Sequence, residues 1–194
     1  MKTVALFGGS FNPPHVAHQL VALYVLETQP VDELWFVPVW QHVFGKDAVP
    51  FEDRVKMCEI AAAPLGARAQ VSRAEEELAQ RPNFQGSRTL DLVEMLRDKH
   101  PDVAFRFVVG TDILVEKHKW HRWDDVVAAA PLIVIGRAGH LPAGSVATGV
   151  TMPEVASTEV RGMLRQGDQA GLASLLPASV MRYIAARGLY RAEA

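Results

Sequence analysis

Several absences narrow the class of this 194-residue chain before any motif is read. It has a single cysteine, Cys58, so no disulfide framework can form within one chain and a reducing compartment is expected. The formal net charge is −2 and no run of Lys and Arg occurs. The electrostatic footprint of a duplex DNA or RNA binder is therefore missing, and no nucleic-acid partner is expected. No apolar run approaches ~18 residues, so no membrane span or membrane partner is expected. The apolar stretch near Met1 is too short for a signal h-region and lacks a small-residue cleavage site. These absences together predict a cytoplasmic protein. There is no internal repeat, no low-complexity tract and no convincing linker. One domain over residues 1–194 is expected, with a helical C-terminal subregion from about residue 157.

What is present has the balance of a globular chain, 49% hydrophobic and 22% charged. Short apolar runs ending in glycine or proline read as buried parallel strands: Thr3 to Phe7 before Gly8-Gly9, Glu33 to Val39, and Ala104 to Val109 before Gly110. Leu132 to Ile135, closed by Gly136, is another, and Ala67 to Ser72 reads as a further strand. Between them lie helical patterns. His15 to Glu27 places apolar residues at Val16, Leu20, Leu23 and Val25/Leu26; Phe51 to Ala63 and Arg88 to Lys99 follow the same period. Residues 138–152 read as loop with one short strand, and the chain is helical from Thr158, broken at Gly167 and Pro177. Alternation of strand and helix predicts an α/β protein with a Rossmann-like, doubly wound parallel sheet and a helical C-terminal segment. Such sheets bind ligands beyond the carboxyl ends of their strands, where strand order reverses. Cys58, beside Met57 and Ile60, is expected in the core; Glu75-Glu76-Glu77 reads as a solvated turn or helix start.

The segment Gly8-Gly9-Ser10-Phe11-Asn12-Pro13-Pro14-His15-Val16-Ala17-His18 carries the chemistry. Two glycines at a strand end admit a ligand close to the backbone. Asn12-Pro13-Pro14 forms a restricted turn. His15 and His18, three apart at a helix start, can share a face, where free N–H groups and the positive dipole end suit phosphate. Either histidine alone would be read as an ordinary packed or surface residue; the pair in this setting is not. The segment is neither a Walker loop nor the dinucleotide fingerprint. Far downstream, Ser157 or Thr158 can cap a helix, with Arg161 one turn in as a fork of donors for phosphate. Gly110-Thr111-Asp112 sets a carboxylate just past a strand, suited to a ribose hydroxyl pair. Trp120 offers an aromatic face to a planar ring. His118 and His121 lack the further ligands a metal site needs, and no protein metal site is expected.

The first segment resembles the Gly-Gly-Thr/Ser-Phe-Asp/Asn-Pro…His-x-Gly-His signature of adenylyltransferases in the nucleotidyltransferase superfamily. Ala156-Ser157-Thr158-Glu159-Val160-Arg161 is similar to that family's Ser-Ser-Thr-x-Ile/Val-Arg motif. Gly110-x-Asp112, the Lys119-Trp120 stretch, the Leu132 to Arg137 strand and the tail from Leu176 to Tyr190 resemble the nicotinate-nucleotide adenylyltransferase branch. The resemblance spans Lys2 to Arg191. It implies joining of ATP to nicotinate mononucleotide in NAD biosynthesis, with Mg²⁺ accompanying ATP. It places His15, His18, Lys46 and Arg161 at the phosphates. It assigns Gly8, Gly9, Ser10, Phe11, Ser157 and Thr158 to ATP, and Gly110, Asp112, Trp120 and Thr89 to the acceptor. The chain departs from the pattern at Ala17 and Ala156, in the loop from Trp40 through His42 to Lys46, and where Asn83 to Ser87 replaces a Ser-Tyr-Thr segment. The acceptor therefore stays open between nicotinate mononucleotide, nicotinamide mononucleotide, phosphopantetheine and other phosphate monoesters. A non-catalytic nucleotide-binding module is the alternative from a different class.

Overall fold

The computed structural model describes residues 1–41, 48–82, 84, 86–137 and 150–191. Its strands are β1 (Lys2–Gly9), β2 (Glu33–Pro38), β3 (Ala69–Val71), β4 (Val103–Gly110), β5 (Leu132–Arg137) and β6 (Thr151–Met152). They form one six-stranded sheet in the order β3-β2-β1-β4-β5-β6, and every pairing is parallel. Order reverses between β1 and β4, which makes the carboxyl ends of these two strands the crevice where such a sheet takes ligands. The connecting helices are α1 (Val16–Thr28), α2 (Phe51–Ala62), α3 (Ala74–Ala79), α4 (Thr89–Lys99), α5 (Thr111–Val115) and α6 (Trp123–Ala129). The chain ends in α7 (Ser157–Gln166), α8 (Gln169–Leu175) and α9 (Ala178–Arg187).

Burial on both faces explains the unbroken apolar strands. Ala5, Leu34, Phe36, Val108 and Ile133 pack beneath α1 and α2; Val4, Leu6, Val37, Phe105, Phe107 and Val109 pack beneath α3 and α4. A third cluster joins α7–α9 to α2 through Met57, Ala61, Val160, Leu172, Val180 and Ile184. Asp53 on α2 reinforces that joint, accepting from Tyr183 Oη at 2.7 Å and Arg187 Nε at 3.1 Å. Cys58 is buried, as its apolar neighbours imply. Among the described residues no helix is long and apolar enough to cross a membrane.

Four details differ from the sequence reading. Leu20 and Leu23 are 44% and 45% exposed, and α1 instead buries Ala17, Ala22, Val25 and Leu26. That helix is apolar around most of its circumference, so periodicity did not select its inward face. The third strand is shorter than expected, at Ala69–Val71. Glu75 is not solvated: it lies in α3 with 4% of its surface exposed. The cap of α7 is Ala156, without a side-chain bond, rather than Ser157 or Thr158.

Candidate active site

A cavity of about 860 Å³ opens at the carboxyl ends of β1 and β4. Its size falls within the ~300–1,000 Å³ common for small-molecule sites. Gly8, Ser10, Phe11, Asn12, His15 and His18 line one side; Gly110, Asp112 and Trp120 line another; Ala156, Ser157, Thr158 and Arg161 border it from α7. Segments almost 150 residues apart thus share one space.

The first wall is built around a buried Phe11. Its φ of 46° lies in the left-handed region, a strain of ~1–3 kcal/mol for a non-glycine residue. Burying the ring recovers ~1.5–3 kcal/mol, and edge contacts to Phe7, Phe36 and His18 add to that. Gly9 permits the arrangement, because a Cβ there would sit 3.1 Å from the Phe11 ring. Gly9 itself is not among the cavity-lining residues.

His15 forms the N-cap of α1, and its backbone N–H donates to His18 Nδ1 at 3.0 Å. With Nδ1 accepting, the neutral His18 ring carries its proton on Nε2, the remaining nitrogen. The two imidazoles stack, with centroids 3.7 Å apart. His18 is therefore held as an oriented N–H donor at a helix N-terminus.

The C-terminal helices brace the same turn. Arg161 Nη1 donates to the Asn12 carbonyl at 2.9 Å, and its Nη2 donates to Thr158 Oγ1 at 3.2 Å. Ser157 Oγ donates to the Pro13 carbonyl at 3.1 Å, which explains why it does not cap α7. The Asn12 amide oxygen accepts from Tyr190 Oη at 2.8 Å and Val49 N–H at 3.3 Å. The N-termini of α1 and α7 both border the cavity, and the positive dipole end of each suits an anion.

At the opposite wall, Asp112 occupies the first turn of α5. A Cβ on residue 110 would lie 2.2 Å from Asp112 Oδ1, so glycine is what lets this carboxylate fold back on the strand end. Trp120 packs edge-on against Phe107 and Trp123, with centroids 5.9 Å and 5.5 Å away, and still borders the cavity. Thr89 begins α4 and does not line the cavity. Lys46 and His42 lie outside the described residues.

Besides Asp53, the buried charges Arg54 and Glu75 escaped the sequence reading. Arg54, 4% exposed, points from α2 into the cavity floor. It donates to the carbonyls of Val49, Ser10, Val39 and Trp40. Burial pulls its pKa down, while proximity to Cys58, Tyr190 and Glu75 opposes that. Bonds to a charged donor are worth ~1.5–3 kcal/mol each, which offsets a desolvation cost of several kcal/mol. The available signal was an arginine inside the apolar stripe Phe51, Val55, Cys58.

Glu75 accepts from Trp40 N–H at 3.4 Å and from the Ser87 hydroxyl, whose oxygen accepts from Gln41 N–H. It thereby holds the strand end that borders the cavity. Burial raises its pKa above the ordinary 4.5, more than these bonds and Arg54 lower it. Ionisation then costs the folded state more than the unfolded one. The cost is absent below the ordinary value and grows as pH rises through the folded value. Glu75→Gln should therefore stabilise the fold at neutral pH and change nothing near pH ~3. Thermal unfolding at both pH values checks this; equal shifts at the two would contradict it.

Among the described residues no cluster of three or more His, Cys, Asp or Glu is placed to hold a metal.

A profile of the cytidylyltransferase-like family matches residues 6–163. A probable nicotinate-nucleotide adenylyltransferase of Anaeromyxobacter dehalogenans is 47% identical over 190 residues, 98% of this chain and 97% of the relative. One of Myxococcus xanthus is 41% identical over 187 residues, 96% of this chain and 94% of the relative. In fold, the chain is similar to Plasmodium falciparum nicotinic acid mononucleotide adenylyltransferase, solved with NaAD. The TM-score is 0.82 at 20% identity, over 98% of each chain. The chain belongs to the nicotinate-nucleotide adenylyltransferase family, within the cytidylyltransferase-like group of nucleotidyltransferases.

Proposed function

We propose that this chain transfers the adenylyl group of ATP to nicotinate mononucleotide, giving nicotinate adenine dinucleotide and pyrophosphate in NAD biosynthesis. The observation that carries the reading is the convergence of the α1 and α7 N-termini, His18 and Arg161 on one cavity that also holds Asp112 and Trp120. The names of the full-length relatives support it.

An oxygen of the acceptor phosphate attacks the α-phosphorus of ATP in line. One P–O bond forms, the bond to the β-phosphate bridge breaks, and pyrophosphate leaves with its electrons. The attacking phosphate is already a competent nucleophile, so no covalent enzyme intermediate is needed. Catalysis then consists of positioning and charge stabilisation. His15, His18 and Arg161 meet the phosphates, and Lys46 is assigned there as well. Gly8, Ser10, Phe11, Ser157 and Thr158 border the ATP, with Gly9 shaping the Phe11 wall. Mg²⁺ would accompany ATP and supply charge neutralisation at its phosphates. Gly110 and Asp112 receive nucleotide sugars, and Trp120 takes the pyridine ring. Thr89, at the start of α4, is the remaining residue assigned to the acceptor.

With ATP labelled at the α-phosphate, label should appear in the dinucleotide; with label at the γ-phosphate, in pyrophosphate. Label from the γ-phosphate in the acceptor product would overturn the reading. Trp120→Ala should raise the acceptor KM ~10-fold, the cost of losing one stacking face, and leave the ATP KM nearly unchanged. Equal rises in both would make Trp120 a packing residue. Gly110→Ala should displace the Asp112 carboxylate and raise one substrate KM ~10-fold, the loss of a charged hydrogen bond. Melting temperature should hardly change, because only a side-chain end must move. Unchanged KM values would remove Asp112 from the sugars.

A further inference from the structure

Four hydrogen bonds from one guanidinium tie the turn after β1 to the end of β2 and to the segment before α2. Arg54 Nη1 reaches the carbonyl of Ser10, in the turn after β1, at 3.0 Å, and that of Val39, just after β2, at 2.7 Å. Nη2 reaches the Trp40 carbonyl at 3.2 Å, and Nε reaches that of Val49, before α2, at 3.2 Å. The plane of the group is fixed by the Phe51 ring, whose centroid lies 5.4 Å away, and Trp40 packs edge-on to that ring at 4.8 Å.

We propose that Arg54 is a positioning residue for adenylyl transfer, holding the turn that receives the ATP phosphates against the end of β2 and so setting its place relative to the wall of Asp112 and Trp120. The inference rests on the adenylyl-transfer reading above. All four acceptors are backbone carbonyls, and among the described residues Arg54 makes no salt bridge. The residue therefore orders three backbone segments, with no carboxylate in direct ion-pair contact among the described residues. A planar fork can hold several carbonyls in fixed relative positions; a lysine ammonium keeps the charge but has no such plane. In-line attack needs the reacting atoms ~3–3.5 Å apart, so a small drift of one wall against the other lowers the rate while each substrate still binds its own wall.

Arg54→Lys tests this. Its kcat should fall ~10-fold or more with both substrates saturating. The affinities for a non-hydrolysable ATP analogue and for nicotinate mononucleotide, each titrated alone, should stay within about threefold of the wild type. Affinity for nicotinate adenine dinucleotide, which spans both walls, should fall alongside kcat. A wild-type kcat, or a loss of ATP-analogue affinity equal to the loss of kcat, would overturn the proposal. If Arg54→Lys does not fold, Phe51→Leu loosens the guanidinium without removing it, and the same measurements decide. A wild-type chain that makes no dinucleotide would overturn the functional reading and the inference with it. An active wild type beside an unimpaired Arg54→Lys overturns the inference alone.

Discussion

His18→Ala should lower kcat by ~10²–10³ while the KM values for ATP and the acceptor move little. That is the usual effect of removing one oriented donor from developing charge in a water-poor site. The expectation follows from the way the ring is held. His15 N–H occupies Nδ1, which places the ring's proton on Nε2. Stacking on His15 and the edge of Phe11 fixes the ring before substrate arrives. No reorganisation is then needed during reaction, which is what makes such a donor effective. His18→Gln places an amide N–H near the same point and should recover part of the loss. A reduction of ~10-fold or less for His18→Ala would take the residue out of the transition state. A large rise in both KM values with kcat unchanged would assign it to ground-state binding.

Arg161→Ala should lower kcat/KM for ATP by ~10², because two functions end together. The side chain brings a permanent positive charge to the N-terminus of α7, and it also donates to the Asn12 carbonyl, holding the turn that carries the phosphate-facing backbone. Arg161→Lys restores the charge but not the fork, so it should stand between the wild type and alanine. Steady-state pyrophosphate release at varied ATP separates the cases. A lysine variant equal to the wild type would show that charge alone matters. Equally impaired lysine and alanine variants would make the brace to Asn12 the dominant function.

Legibility in the sequence followed physical origin. β1, β2, β4 and β5 could be read because strands buried on both faces need unbroken apolar runs, and glycines mark where β1 and β4 open onto the crevice. The paired histidines and Arg161 could be read because phosphate chemistry demands donors at helix starts. Contacts between distant segments could not. Ser157 looked like a helix cap by local rules, yet its hydroxyl serves the Pro13 carbonyl 144 positions away. Glu75 looked solvated by residue type and Arg54 was not singled out, yet both are buried and hold the cavity's strand end through backbone groups. The inward face of α1 was obscured by apolar residues on several sides, and only packing against the sheet selects Ala22, Val25 and Leu26.

The central claim is the identity of the transfer and its acceptor. The most direct measurement is pyrophosphate release by the purified chain with ATP, Mg²⁺ and either nicotinate or nicotinamide mononucleotide. The account predicts release with both substrates present and a clear preference for the nicotinate form. Release with neither acceptor would contradict it.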